Sequence, residues 1–188
     1  MSETPYGFDA AKLRVARTAA GTSVARIARA TGVSERAVSL YLAGTRTPRP
    51  EILMQLAKAV GTDPAALCTV EHETLAHLRI FTGRSRSAMA RQLGMAEETY
   101  RQMETTGQRG RLARSRYDDH EDRWIAWQEW ASPLFGVTAE RLDAAEQHTR
   151  EQHLAERERR WQRLRLAAPD RAVRIEDLGR AGRRLRRR

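Results

Sequence analysis

The chain repeats itself. LRVARTAAGTSVARIARATGVSE at 13–35 and LAHLRIFTGRSRSAMARQLGMAE at 75–97 align without a gap at a constant offset of 62. Leu13, Arg17, Gly21, Ser23, Ala28, Arg29, Gly32 and Glu35 recur as Leu75, Arg79, Gly83, Ser85, Ala90, Arg91, Gly94 and Glu97. Similarity resumes at an offset of 75, where Gly61 and Leu67 return as Gly136 and Leu142. The second copy therefore carries about 13 extra residues, around 105–120. A chain of 188 residues built this way is expected to hold two small modules, each with its own core.

Each copy reads as short helices. Leu13, Ala16 and Ala20 share a helical face that Gly21 ends. Ser23 is placed to cap a helix running to Ala30, and Ser34 to cap the next. Gly32 supplies the positive φ of the turn between them. Pro50 suits the first turn of a fourth helix burying Leu53, Leu56, Ala57 and Val60, and Asp63-Pro64 opens a last short one. Strand signals are absent, so the expected architecture is all-α. In DDHEDRWIAWQEWASPLF the face shared by Trp124, Trp127, Ala131 and Leu134 predicts one core helix over 118–135. Its acidic start, Asp118 to Asp122, reads as dipole-favoured charge at a helix N-terminus rather than a metal site. A continuous charged helix is expected over 138–168, stopped by Pro169.

Small Ala28 at the close approach of two helices, Gly32 four residues on, and inward Ile27, Val33, Val38 and Tyr41 form the pattern of a helix-turn-helix. The second copy answers with Ala90, Gly94, Met89, Leu93, Met95, Tyr100 and Met103. On these residues, and on GTSVARIARATGVSERAVSLYLAGTRTPRP and LAKAVGTDPAAL, the chain resembles the Cro/phage-repressor-like (xenobiotic-response-element) helix-turn-helix family. The first copy does so over about 11–68. The second, more divergent, does so over about 73–107 and again over 130–142. It has Ala96 where the first has capping Ser34, and TTGQRGRLARSRY in place of the TRTPRP loop. The expected organisation is a first module at 8–68, a second at 72–142 with an enlarged Arg-rich loop, a long charged helix over 143–168, and an Arg-rich tail over 169–188.

The resemblance implies double-stranded DNA as partner, with bases read by Ser34, Glu35, Arg36, Ser39 and Leu40 on the third helix. Arginine grips guanine O6 and N7, and glutamate accepts from the cytosine amino group. Phosphates would be held at Thr22 and Ser23, where a helix start presents free N–H groups, and by Arg46 and Arg49 of the loop. In the second copy the corresponding base readers are Glu97, Glu98, Arg101 and Gln102. Its phosphate contacts are Arg84, Arg86, Arg109, Arg111, Arg114 and Arg116. Two linked modules are expected to occupy successive major-groove faces about 34 Å apart.

Charge agrees with a polyanionic partner. The formal net charge is +10. Residues 1–70 hold 9 basic and 5 acidic side chains, and residues 169–188 hold 8 and 3, whereas residues 71–137 balance at 10 and 10. Leu154, Trp161 and Ala168, seven apart, suggest a short seam for a homodimer through the C-terminal helix. One cysteine, Cys68, excludes an intrachain disulfide framework. No apolar run approaches the ~18 residues of a membrane span, and MSETPYGFDA lacks signal-peptide character. A cytoplasmic protein, nucleoid-associated when on DNA, is expected. His72, His77, His120, His148 and His153 are scattered without i, i+4 pairs, and no phosphate-cradling glycine loop or nucleophile elbow occurs. The expectation is a transcriptional regulator, a repressor acting by promoter occlusion, without enzymatic activity, cofactor, metal or small-molecule ligand. The alternatives are a plasmid or phage maintenance protein binding DNA broadly, and an antitoxin or adaptor using the second module for protein binding.

Overall fold

A computed structural model describes residues 6–110 and 114–167. In the first region, α1 (Ala10–Ala19), α2 (Val24–Thr31), α3 (Glu35–Leu42) and α4 (Pro50–Ala59) are followed by a 3-10 turn at Pro64–Leu67. The starts are set by local chemistry. Asp9 accepts from the Ala11 amide at 2.8 Å, Ser23 from Arg26 and Ser34 from Ala37, both at 3.2 Å. Gly32 ends α2 at φ +68°, a left-handed turn that lets α3 cross back over it. Leu13, Ile27, Val38, Leu53 and Leu56 are fully buried at the centre, as their helical spacing predicts. The entering chain closes the unit: Phe8 bridges to Cys68, and the Thr69 amide donates to the Gly7 carbonyl at 2.7 Å. Gly7 lies at φ +72°, and a Cβ there would stand 2.3 Å from the Thr69 oxygen, so only glycine fits.

The second region consists of α5 (Leu75–Phe81), α6 (Arg86–Gln92), α7 (Glu97–Thr106), β1 (Arg116–Asp118), β2 (Arg123–Ile125), α8 (Trp127–Phe135) and α9 (Ala139–Ala167). Leu75, Leu78, Met89, Leu93, Tyr100, Met103, Trp127, Phe135 and Leu142 form its core. Ser85 caps α6, but Ala96 leaves α7 without a side-chain cap. Gly94 and Gly136 are left-handed at φ +67°, like Gly32 and Gly61 at the positions matched in sequence. The compact unit holding both cores ends at Thr149, whose hydroxyl accepts from the Leu75 amide at 3.0 Å. Helix α5 serves both cores. Leu75 and Leu78 enter the second, whereas Ile80 is buried in the first and Phe81 packs against it. At the following turn, a Cβ on Gly83 would stand 2.9 Å from the Met54 Cβ of α4.

Two expectations are corrected. Residues 118–135 are not one helix: β1 and β2 pair antiparallel, Tyr117 opposite Trp124, and the helix begins only at Trp127. The run Asp118 to Asp122 is the hairpin turn, with Asp118 accepting from the His120 and Glu121 amides at 2.8 and 3.2 Å. Turn chemistry outweighs the helical period there. Trp124 is consequently no core residue and is 68% exposed, while Trp127 is fully buried. The fold is mostly helical with this one small sheet among the described residues. None of the described helices is long and apolar enough to cross a membrane. Residues 168–188, including the Arg-rich tail and Ala168 of the expected seam, lie outside the described residues.

Candidate nucleic-acid interface

In the first region α3 stands on a buried floor of Ala37, Val38 and Tyr41 and turns its other face outward. Glu35, Arg36 and Ser39 are exposed on that face and Leu40 is half-buried. The Ser39 hydroxyl donates to the Glu35 carbonyl at 2.9 Å, and the Ser34 hydroxyl is engaged as the cap. The side chains of Glu35 and Arg36 make no hydrogen bond or ion pair among the described residues, so both are available to an outside partner. Thr22 and Ser23 precede α2, with Ser23 exposed. Arg26, Arg29 and Arg49 are exposed without a side-chain partner among the described residues. Arg46 lies 5.9 Å from the Tyr41 ring centroid, a loose cation–π contact. The loop carrying Arg46 and Arg49 is fastened by the Tyr6 hydroxyl, which donates to the Pro48 carbonyl. Burial, reinforced by Cys68 and Tyr41, pushes the Tyr6 phenol well above its ordinary range.

One further cation escaped the sequence reading. The Arg17 Nε is buried and has no hydrogen-bond partner among the described residues. An unpaired buried donor costs on the order of 1–3 kcal/mol, more when charged, so Arg17 is a group that would gain from meeting an anion. Its recurrence as Arg79 was visible, but the lack of a partner was not.

The second region uses its arginines differently. Arg79 and Arg86 each hold the buried carboxylate of Glu104 at 2.5 Å, and Arg79 also donates to the Arg84 carbonyl at 2.8 Å. Tyr100 donates to Glu104 at 3.3 Å, and burial followed by the nearby carboxylate raises the phenol well above its ordinary value. Arg84 donates to the Leu134 carbonyl at 2.6 Å. Arg109 binds Glu146 at 2.5 Å and reaches Asp143 at 3.4 Å; Glu146 also accepts from the Trp127 indole at 2.6 Å. Arg116 lies 3.6 Å over the Trp130 ring and donates to the Leu93 carbonyl at 2.9 Å. On α7, Arg101 grips Glu98 through two hydrogen bonds of 2.8 and 2.6 Å, while Glu97 and Gln102 are exposed. Arg114 is exposed without a side-chain partner among the described residues, and Arg111 lies outside them.

The two sets thus differ in what they can still do. A free arginine on α3 offers its whole donor fork to a base edge or phosphate. An arginine spanning Glu104 or Glu146 must first abandon a buried carboxylate. The Glu98–Arg101 pair is exposed and cheap to open, because water screens it and can replace each partner. Among the described residues no group of three or more His, Cys, Asp or Glu side chains is placed to hold a metal ion.

No curated protein and no solved structure matches the chain. Residues 10–67, which span α1 through the 3-10 turn, match the family model of a helix-turn-helix domain.

Proposed function

We propose that the chain is a sequence-specific regulator of transcription that binds double-stranded DNA through its first region and represses by occluding promoter DNA. Helix α3 enters the major groove, with Arg36 and Glu35 reading a C·G-containing half-site and Ser39 and Leu40 completing the contact. Ser34 caps the reading helix at its entry. Thr22, Ser23, Arg46, Arg49 and Arg17 anchor the backbone on either side. The observation that carries this reading is the unpaired, exposed Arg36 on a helix whose opposite face is fully packed.

The second region, in this proposal, is a divergent copy of the first that contributes little base readout. Its arginines at 79, 84, 86, 109 and 116 are engaged by its own carboxylates, carbonyls and aromatic rings. Among the described residues expected to meet DNA there, Glu97, Gln102, Arg114 and an opened Arg101 remain free to do so. Leu154, 59% exposed, and Trp161 supply the seam of a homodimer through α9.

Selection from a random duplex pool at near-physiological salt, followed by sequencing, tests the reading. One short motif per chain is the expected result. A two-part motif with parts one helical turn apart would restore base reading to the second region. Retention without a motif, falling steeply with salt, would mean broad backbone binding and overturn sequence-specific regulation.

A further inference from the structure

The largest departure between the two regions lies after the reading helix. In the first, residues 43–49 join α3 to α4; in the second, residues 107–126 join α7 to α8 and carry the β1–β2 hairpin. This hairpin is built firmly. Arg116 is clamped between the Trp130 ring and the Leu93 carbonyl, and the Trp130 indole donates to the Arg114 carbonyl at 2.9 Å. Arg123 joins Glu121 of the turn at 2.5 Å to Glu129 of α8 at 3.1 Å. Asp118 closes the turn, and Tyr117 donates to Asp122, which sits at φ +51°.

On that firm support the outward residues are aromatic. Trp124 is 68% and Tyr117 47% exposed, their rings edge to face with centroids 5.6 Å apart. Neither ring belongs to either core. Large aromatics held rigid at a surface are the typical anchors of protein recognition, because little side-chain freedom remains to be lost on binding. The surrounding charge selects the partner. Residues 116–125 hold four acidic and two basic side chains in a chain of net charge +10. Both of those arginines are already engaged within the module, and Asp119 has no partner among the described residues. Phosphates are repelled from such a surface, and a wholly apolar partner would strip water from carboxylates without replacing it.

We infer that the Tyr117–Trp124 face of the hairpin docks a cationic segment of a partner polypeptide. An arginine or lysine of that segment lies over the Trp124 ring, and its neighbours meet the carboxylates of Asp118, Asp119 and Asp122. The inference stands on the hairpin alone and does not require that the first region bind DNA.

The test uses the full chain labelled with ¹⁵N and a nine-residue peptide of alternating arginine and serine, at near-physiological salt. Trp124→Phe identifies the Trp124 indole N–H resonance. That resonance is expected to shift saturably with peptide, while those of Trp127, Trp130 and Trp161 stay in place. The matching glutamate–serine peptide is expected to have no effect. Trp124→Thr, which keeps a strand-favouring residue and removes the ring, should weaken peptide binding about tenfold or more, read by anisotropy of a labelled peptide. Asp119→Asn should weaken it about threefold, in line with a single exposed charge. Absence of saturation, an equal response to the acidic peptide, or unchanged binding by Trp124→Thr would overturn the proposal. Self-association that Trp124→Thr abolishes would overturn it in favour of a second copy of this chain.

Discussion

The two helical regions differ in how they spend most of their arginines, although Arg14 of the first donates to the Leu42 carbonyl and Arg114 of the second has no side-chain partner among the described residues. Arg26, Arg29, Arg36 and Arg49 of the first have no side-chain partner among the described residues. Arg79, Arg84, Arg86, Arg109 and Arg116 of the second are tied to Glu104, to carbonyls, to Glu146 and to an aromatic ring. One residue marks the divergence. Glu104 occupies the position that the 62-residue offset pairs with Leu42, and the arginines paired by the same offset are Arg79 and Arg17. Where the carboxylate is present the arginine is satisfied; where leucine stands, the Arg17 Nε is left bare. A count of basic residues therefore measures binding capacity poorly, because cations already neutralised inside a module have little left to offer an outside anion.

Exchanging these two residues attacks the comparison most directly. Glu104→Leu leaves two guanidinium groups at a site where the Arg79 side chain is 7% exposed. Breaking a buried pair in this way typically costs about 3–5 kcal/mol, and thermal unfolding should register it as a large drop in midpoint. A loss below about 1 kcal/mol, the range of exposed pairs, would mean that Glu104 is not what organises the second region. The reciprocal Leu42→Glu supplies Arg17 with a carboxylate. It should lower DNA affinity and reduce the salt slope by about one, as loss of one phosphate contact would.

Base reading separates the regions next. Arg36→Ala should cost about 1–3 kcal/mol and relax preference at one position of the selected site. Arg101→Ala, its nearest counterpart in role, should leave affinity on the same DNA nearly unchanged, as surface substitutions away from an interface do. Competition binding with single-base variants of the site distinguishes the two. Equal effects would return the second region to the groove.

A smaller contrast lies at the caps. Ser34→Ala should destabilise by about 1 kcal/mol and Ala96→Ser should stabilise by a similar amount at most. Denaturant midpoints with unchanged slopes would measure both. A neutral Ala96→Ser would mean that the α7 entry cannot bring a hydroxyl to the amide three residues on.

What could be read in advance was what short-range chemistry decides. Ser23, Ser34, Gly32 and Pro50 set helix ends through neighbours within a few residues, and α1–α4 follow from them. Glu104 was missed because its partners lie 25 and 18 residues away in the chain. A signal existed: an acid one residue after buried Met103 and four after buried Tyr100 faces the core, and a buried carboxylate requires a cation. Trp124 was misplaced because its spacing to Trp127, Ala131 and Leu134 fits a helix, while β1 and β2 are too short, at three residues each, to display alternation. The cluster of acids before it was a turn signal read as a helix start.

The first turns of α1 and α5 respond to acid at different pH, which gives the comparison its finest test. Asp9 heads α1. Burial is the largest single influence and pulls its carboxyl up, but hydrogen bonds from Thr69 and from the Ala11 and Lys12 amides, with the Lys12 charge, together outweigh it and hold the group below the ordinary 3.8. At α5 the Thr74 amide donates to His77 Nδ1 at 3.0 Å, which requires that nitrogen to be unprotonated. Burial lowers His77 below the ordinary 6.5, against a smaller upward pull from Glu73. Both groups have folded values under their unfolded ones, so in each case the unfolded chain binds protons first as pH falls. Stability from His77 is complete above 6.5 and declines as pH drops through that value toward the folded one. Stability from Asp9 is complete above 3.8 and declines only below it. Between pH 7 and 5, amide exchange corrected for intrinsic rates should therefore lose protection in α5 while α1 keeps its own. His77→Gln, which cannot titrate, should remove the difference. Parallel loss in both helices, or persistence of the α5 loss in His77→Gln, would show that acid acts on the shared packing around Ile80 and Phe81 rather than on this turn.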